Sequence, residues 1–115
     1  MRRRRLNDPL GEVPSNLSAR ALADLMAIVR RSAREWGRDT ARRTAERLLA
    51  GCRSVEDGTA IGHERRDVRT RRRVLFLVEA PWVIAYGPDT RRVLRVLHGA
   101  RDFPAVFPIG DHQGR

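Results

Sequence analysis

The sequence predicts an α+β fold, an N-terminal helical hairpin packed on an antiparallel sheet of three to four strands. Three observations carry that prediction. Apolar residues recur at three-and-four spacing through two consecutive segments between residues 18 and 52. Three short runs rich in Val, Leu, Ile and aromatic residues follow, between residues 73 and 98. The links between those runs, Glu79-Ala80-Pro81 and Gly87-Pro88-Asp89-Thr90, leave room only for reversals, so neighbouring strands run antiparallel. A meander of this size cannot bury its own apolar face, and the upstream helices must cover it.

Residues 1–17 hold two prolines, a glycine and scattered apolar side chains, and read as a poorly ordered arm or an irregular first strand. The Arg2–Arg5 run at its start reads as a solvated tail. Ser18 is placed to cap a helix lasting to about Glu35. Its apolar stripe is Leu22, Leu25, Met26, Val29, Ala33 and Trp36, with Arg30, Arg31 and Arg34 opposite. Gly37 ends that helix, where a positive φ is wanted. Asp39 or Thr40 can cap the second, whose stripe is Ala41, Ala45, Leu48, Leu49 and Cys52. Residues 54–72 read as a loop with Ile61 as its apolar tether. The strands span Arg73–Glu79, Trp82–Tyr86 and Arg92–His98, and residues 104–115 carry two prolines and no period. The expected core includes Leu25, Val29, Leu48, Leu75, Leu77, Ile84, Val93 and Val96.

A chain of 115 residues supports one small domain. No apolar run approaches the roughly 20 residues that span a bilayer, and the first residues lack the apolar stretch of a signal peptide. The single cysteine, Cys52, fits a reducing compartment, so the expected location is the cytoplasm, away from membranes. The formal net charge is +10, and all 24 basic residues are arginine. Guanidinium forks pair bidentately with carboxylate and phosphate, so an acidic partner is implied, either nucleic acid or an acidic protein. Genomic base composition also favours arginine, and charge alone does not choose the partner.

Few residues suggest chemistry. His98 and Asp102 lie four apart, but the structural reading is preferred: His98 bonding backbone, Asp102 accepting from turn amides. His63 and His112 have no second ligand at metal spacing, so neither a metal nor a cofactor is expected. Cys52 reads as a small buried hydrophobe. Trp82, Ile84 and Tyr86 read as core, with the Tyr86 hydroxyl turned outward. Arg95 interrupts the apolar run from Val93 to Leu97 and needs either a partner or a solvated face. Arg101, with Phe103 close behind, ends the meander and is the candidate for meeting a target.

Trp82-Val-Ile-Ala-Tyr86 and Val93-Leu-Arg-Val-Leu-His-Gly-Ala-Arg-Asp102 resemble the ParE/RelE superfamily of bacterial toxins, nearer its ParE branch. Ala21-Leu-Ala-Asp-Leu25, Glu35-Trp-Gly37, Ala45-Glu-Arg-Leu48 and Ile61-Gly62 resemble the same family's helical hairpin and loop. The resemblance covers residues 18–107 as one toxin domain and leaves 108–115 as a tail. It implies the toxin of a type II toxin–antitoxin module, neutralised by a ParD-like antitoxin that is acidic and partly disordered. ParE-like members inhibit DNA gyrase by binding, whereas RelE-like members cleave messenger RNA on the ribosome. A gyrase-binding toxin that performs no catalysis is therefore expected, with a ribosome-dependent nuclease as the alternative and direct nucleic-acid binding as a third reading.

An antitoxin helix is expected on Leu22, Met26 and Trp36, with Arg30, Arg34 and Arg95 meeting its acidic residues. A nuclease would draw on Arg69, Arg71 and Arg101. Phe107, however, stands near where RelE-like toxins place a tyrosine, and arginine is a poor base. The chain also departs from the family pattern at Arg31 and Thr44, where aromatic residues are common, at Thr70-Arg71, where Pro-Gly is usual, and at Gly87, where a basic residue is frequent. These departures make a weakened or non-toxic copy a further alternative.

Overall fold

The computed structural model describes residues 12–107; the Arg2–Arg5 run, the 108–115 tail and His112 lie outside the described residues. Ser18 opens helix α1 (Ala19–Trp36), its Oγ accepting from the Ala21 N–H at 3.0 Å. Gly37, at φ 92°, closes α1 by returning its N–H to the Ala33 carbonyl. The same glycine starts helix α2 (Arg38–Asp57), its carbonyl accepting from Ala41 N–H at 3.1 Å. The expected cap at Asp39 or Thr40 is therefore not used: a left-handed glycine turns the chain within one residue. Val55 is buried and carries the apolar stripe of α2 one turn further, so residues 54–57 are helix rather than loop.

Strands β1 (Leu75–Glu79), β2 (Trp82–Gly87) and β3 (Arg92–His98) form an antiparallel sheet in the order β1-β2-β3. The two amphipathic helices and this sheet make the α+β arrangement that the periodicity predicts. Among the described residues, a fourth strand amounts to one parallel bridge between Leu17 and Val93, and residues 1–11 of the expected arm lie outside the described residues. Asn16 accepts from Val93 N–H at 2.8 Å and Ser18 N–H donates back to the Val93 carbonyl at 2.9 Å. The helix cap at Ser18 ends the pairing there.

β3 contains a bulge. Tyr86 pairs with Val93 and Ala85 with Arg95, so Leu94 is an extra residue in β3. In a regular strand, side chains three residues apart point to opposite faces. The bulge instead turns both Val93 and Val96 toward the helices, while Leu94 and Leu97 face the other side. Four side-chain bonds from Ser18 and the N-terminal half of α1 fasten this irregular edge. Ser18 Oγ donates to the Leu94 carbonyl at 3.0 Å. Asp24 accepts from Val96 N–H at 2.9 Å and takes the Arg95 fork through both oxygens, at 2.8 and 3.1 Å.

Two cores result. Leu25, Val29, Leu48, Cys52, Ile84, Val93 and Val96 fill the space between the helices and the sheet. Leu75 and Leu77 were expected in it but are only half-buried, because β1 is an edge strand and α1 lies on β3. The opposite face carries Phe76, Val83, Ala85 and Leu97. It is covered by a short helix α3 (Phe103–Val106), in a stretch that shows no sequence period. Phe103 and Phe107 stand edge-on to Phe76, with ring centroids 5.5 and 5.7 Å away.

Ile61 does not tether the loop; it is 77% exposed. The loop is held instead by backbone pairing of His63 with Phe76, at 2.9 and 2.8 Å, and by Gly62 N–H donating to the Tyr86 hydroxyl at 3.0 Å. That hydroxyl therefore points toward the loop and not outward. His63 takes up the outer edge of β1 only at Phe76. Val78, two residues on, presents its backbone to the same side, and its side chain is 62% exposed.

Three substitutions test these contacts. Asp24→Ala strands a guanidinium whose side chain is only 17% exposed and frees the Val96 N–H, so chemical denaturation should show a loss of about 3 kcal/mol. Arg31→Ala, which breaks the exposed Arg31–Glu35 pair, should cost no more than about 0.5 kcal/mol. Equal losses would refute the assignment. A Cβ on Gly62 would sit 2.6 Å from the Tyr86 hydroxyl and 2.8 Å from its ring. Since that ring is buried, Gly62→Ala should lower stability by about 1–3 kcal/mol, and an unchanged denaturation midpoint would refute the close approach.

Candidate functional site

α1 overruns the sheet, and this creates a cleft. Trp36, its last residue, lies past the packed part of the helix and is 70% exposed, although the stripe pattern groups it with the core. Between it and the β1–β2 turn lies a cleft of about 360 Å³, with Ile28 and Ser32 on α1 facing Pro81, Trp82 and His98. Trp82 and His98 stand edge-on, 5.4 Å apart, and His98 Nδ1 accepts from Ala100 N–H at 3.0 Å, the structural role expected of it. Arg31 and Glu35 pair at 3.1 Å on the rim. Apolar walls of two tryptophans with a charged rim suit the apolar face of an incoming helix.

The expected antitoxin residues differ in exposure. Leu22 and Met26 are half-buried and pack on the helix-side core. Arg30 and Arg34 are exposed, and Trp36 belongs to the cleft. Arg95, expected to meet an antitoxin carboxylate, instead has its fork occupied by Asp24 of its own chain.

Arg101 is exposed on the turn after β3, its N–H donating to the His98 carbonyl at 3.0 Å. Phe103, expected to face a target, is fully buried at 0% exposure. The Arg65 guanidinium lies over its ring, 3.9 Å from the centroid, and Phe76 takes its edge. Asp102 also differs from expectation. Its backbone carbonyl, not its carboxylate, accepts from Ala105 and Val106 N–H.

A second, more open cleft of about 570 Å³ lies along residues 64–74, on the sheet face away from the helices. Arg65 grips Asp67 through two bonds, at 3.0 and 2.9 Å, which hold that carboxyl below its usual range. Arg73 pairs with Glu64 at 3.3 Å. Arg69 and Arg71 line this cleft, but Arg101 does not, so the three arginines considered for a nuclease are not gathered. Phe107 is buried and carries no transferable proton.

Burial pushes the Cys52 thiol up to about 12, only partly offset by Arg53, so it is no nucleophile. Among the described residues no three His, Cys, Asp or Glu side chains gather to hold a metal, and no helix is long and apolar enough to cross a membrane. The sequence reading missed the Trp36–Trp82 cleft. Its available signal was a tryptophan at the last turn of a helix, too far along to reach the core.

No curated protein matches this chain. A family model does: that of the ParE toxin of the type II toxin–antitoxin system parDE, over residues 16–103. The matched span runs from the Asn16–Val93 pairing through both helices and the sheet to the start of α3. The chain belongs to the ParE toxin family of type II toxin–antitoxin systems.

Proposed function

We propose that this toxin acts in the cytoplasm by binding DNA gyrase, without catalysis, and that a ParD-like antitoxin neutralises it. One observation carries the choice of binding over cleavage. The positions where chemistry would be needed hold exposed arginines, a residue type poorly suited to act as a base, and a buried phenylalanine. The functional unit in this reading is the single domain of residues 18–107, and Arg101 is its candidate contact with the target. A ribosome-dependent nuclease is the competing reading, favoured by Arg69 and Arg71 sharing one cleft.

The antitoxin's apolar helix face sits in the Trp36–Trp82 cleft, and its acidic residues meet Arg30 and Arg34. Apolar burial at roughly 25 cal/mol per Å² supplies the affinity, offset by the ordering of a partly disordered segment. The rim charges mainly speed encounter and fix register.

Inducing the gene and following supercoiling beside transcript integrity separates the readings. Loss of supercoiling and DNA-damage signals with intact transcripts is expected. Early transcript cleavage on ribosomes would overturn the gyrase assignment, and normal growth would identify a non-toxic copy. For the antitoxin, Trp36→Ala should weaken the complex by about 2 kcal/mol, roughly thirtyfold, with the toxin's melting unchanged because the side chain is 70% exposed. Arg34→Ala should cost about 1 kcal/mol or less, mostly as slower association. Titration calorimetry that ranks the two variants the other way would remove the cleft from the interface.

A further inference from the structure

The cleft along residues 64–74 is not used by the antitoxin in the reading above, and its charge is unusual even in this chain. Between Glu64 and Arg73 stand Arg65, Arg66, Arg69, Arg71, Arg72 and Arg73, against the acids Glu64 and Asp67. Those two acids are already taken by Arg73 and Arg65. Arg66, Arg69 and Arg71 are exposed and have no acidic partner among the described residues. We propose that this cleft binds the sugar–phosphate backbone of a nucleic acid, with Arg69 and Arg71 in the cleft and Arg66 beside it contacting phosphates.

The wall of the cleft is built before any ligand arrives. Arg65 is clamped by Asp67 and sits over the buried Phe103 ring, so its side chain is part of the scaffold. Thr70 Oγ donates to the Arg72 carbonyl at 2.5 Å and pins the turn that carries Arg69 and Arg71. Neighbouring cations repel one another, and holding them together becomes favourable when a polyanion neutralises them.

The lining also distinguishes between classes of partner. Protein interfaces take most of their affinity from aromatic or aliphatic anchors desolvated at the centre. Here the apolar lining is Val68 and Val74, both already packed into the core beneath α3. What remains exposed is guanidinium, which fits phosphates through bidentate forks and draws affinity from counterion release. With no exposed aromatic ring to stack on bases, the contact reads backbone and not sequence. Because the cleft lies on the sheet face away from α1 and α2, the inference stands whichever enzyme the toxin meets.

The test must separate this cleft from diffuse charge. The full-length chain is titrated against a short labelled DNA duplex by fluorescence anisotropy over a series of salt concentrations. The triple variant Arg66→Ala/Arg69→Ala/Arg71→Ala is compared with Arg30→Ala/Arg34→Ala/Arg38→Ala, which removes the same charge from the helical hairpin. Each phosphate contact contributes about 0.9 to the slope of log K against log salt, so the cleft triple should flatten that slope by about 2 to 3. The hairpin triple should leave it nearly unchanged. The single variant Arg69→Gln, expected to remove about one contact, keeps the test open should the triple fold poorly. Equal effects of the two triples, or an unchanged slope in the cleft variants, would overturn the site. So would cleft variants that keep DNA binding and lose the antitoxin, since the occupant would then be an acidic protein.

Discussion

The Asp24 carboxylate is the joint on which the molecule turns. Three donors converge on it: the two arms of the Arg95 guanidinium and the Val96 amide. Two charged side chains, each about five-sixths removed from solvent, would be costly to bury singly. Together they join the middle of α1 to the one irregular strand. With Ser18 and Asn16 they also occupy the outer edge of β3 from Val93 to Val96, where a regular sheet would leave unpaired amides. Helix placement, sheet register and edge protection are therefore one interaction and not three.

From that joint the two faces of the sheet acquire different characters. The helix-side face receives Val93 and Val96 and becomes the larger core. The far face receives Leu94 and Leu97 and needs its own cover, which Phe103 of α3 and Phe107 just after it provide. Each cover leaves an opening of its own kind. Where α1 outruns the sheet, the opening is aromatic; where the 64–74 loop crosses the far face, it is cationic. The two openings share no lining residue, so an occupant of one does not cover the other.

Much of this was legible in the chain. Local signals name local structures: the Ser18 cap, the Gly37 stop, the helical stripes and the turn residues between strands all act within four or five positions of themselves. What escaped is what depends on distance. Asp24 and Arg95 lie 71 residues apart, and nothing near either marks the other. The bulge was written in the three-residue recurrence of Val93-Leu94 and Val96-Leu97, which a period-two reading treats as an interruption by Arg95. Phe103 looked exposed because its neighbours are charged and prolyl, yet the cavity it fills belongs to β1 and β2. Trp36, expected on an exposed surface, is exposed, but the cleft it forms with Trp82 was not foreseen. Its spacing is that of a core residue, but spacing gives an angle around a helix and not where the neighbouring sheet ends.

The outer edge of β1 carries a different consequence. Beyond the His63–Phe76 pairing, Val78 has no further strand beside it among the described residues, and its branched side chain is exposed. Such an edge is a template on which any extended chain can continue the ladder, including another copy of this one. The sequence around it supplies gatekeepers. Arg71, Arg72 and Arg73 precede the strand, Glu79 ends it within a reach of 3.8 Å from Arg47, and the strand itself is only five residues long. The arginine wealth of the loop thus has a second effect, on colloidal behaviour. Like charges massed beside the weakest edge of the sheet keep copies of the toxin apart while they are newly made and not yet held by antitoxin.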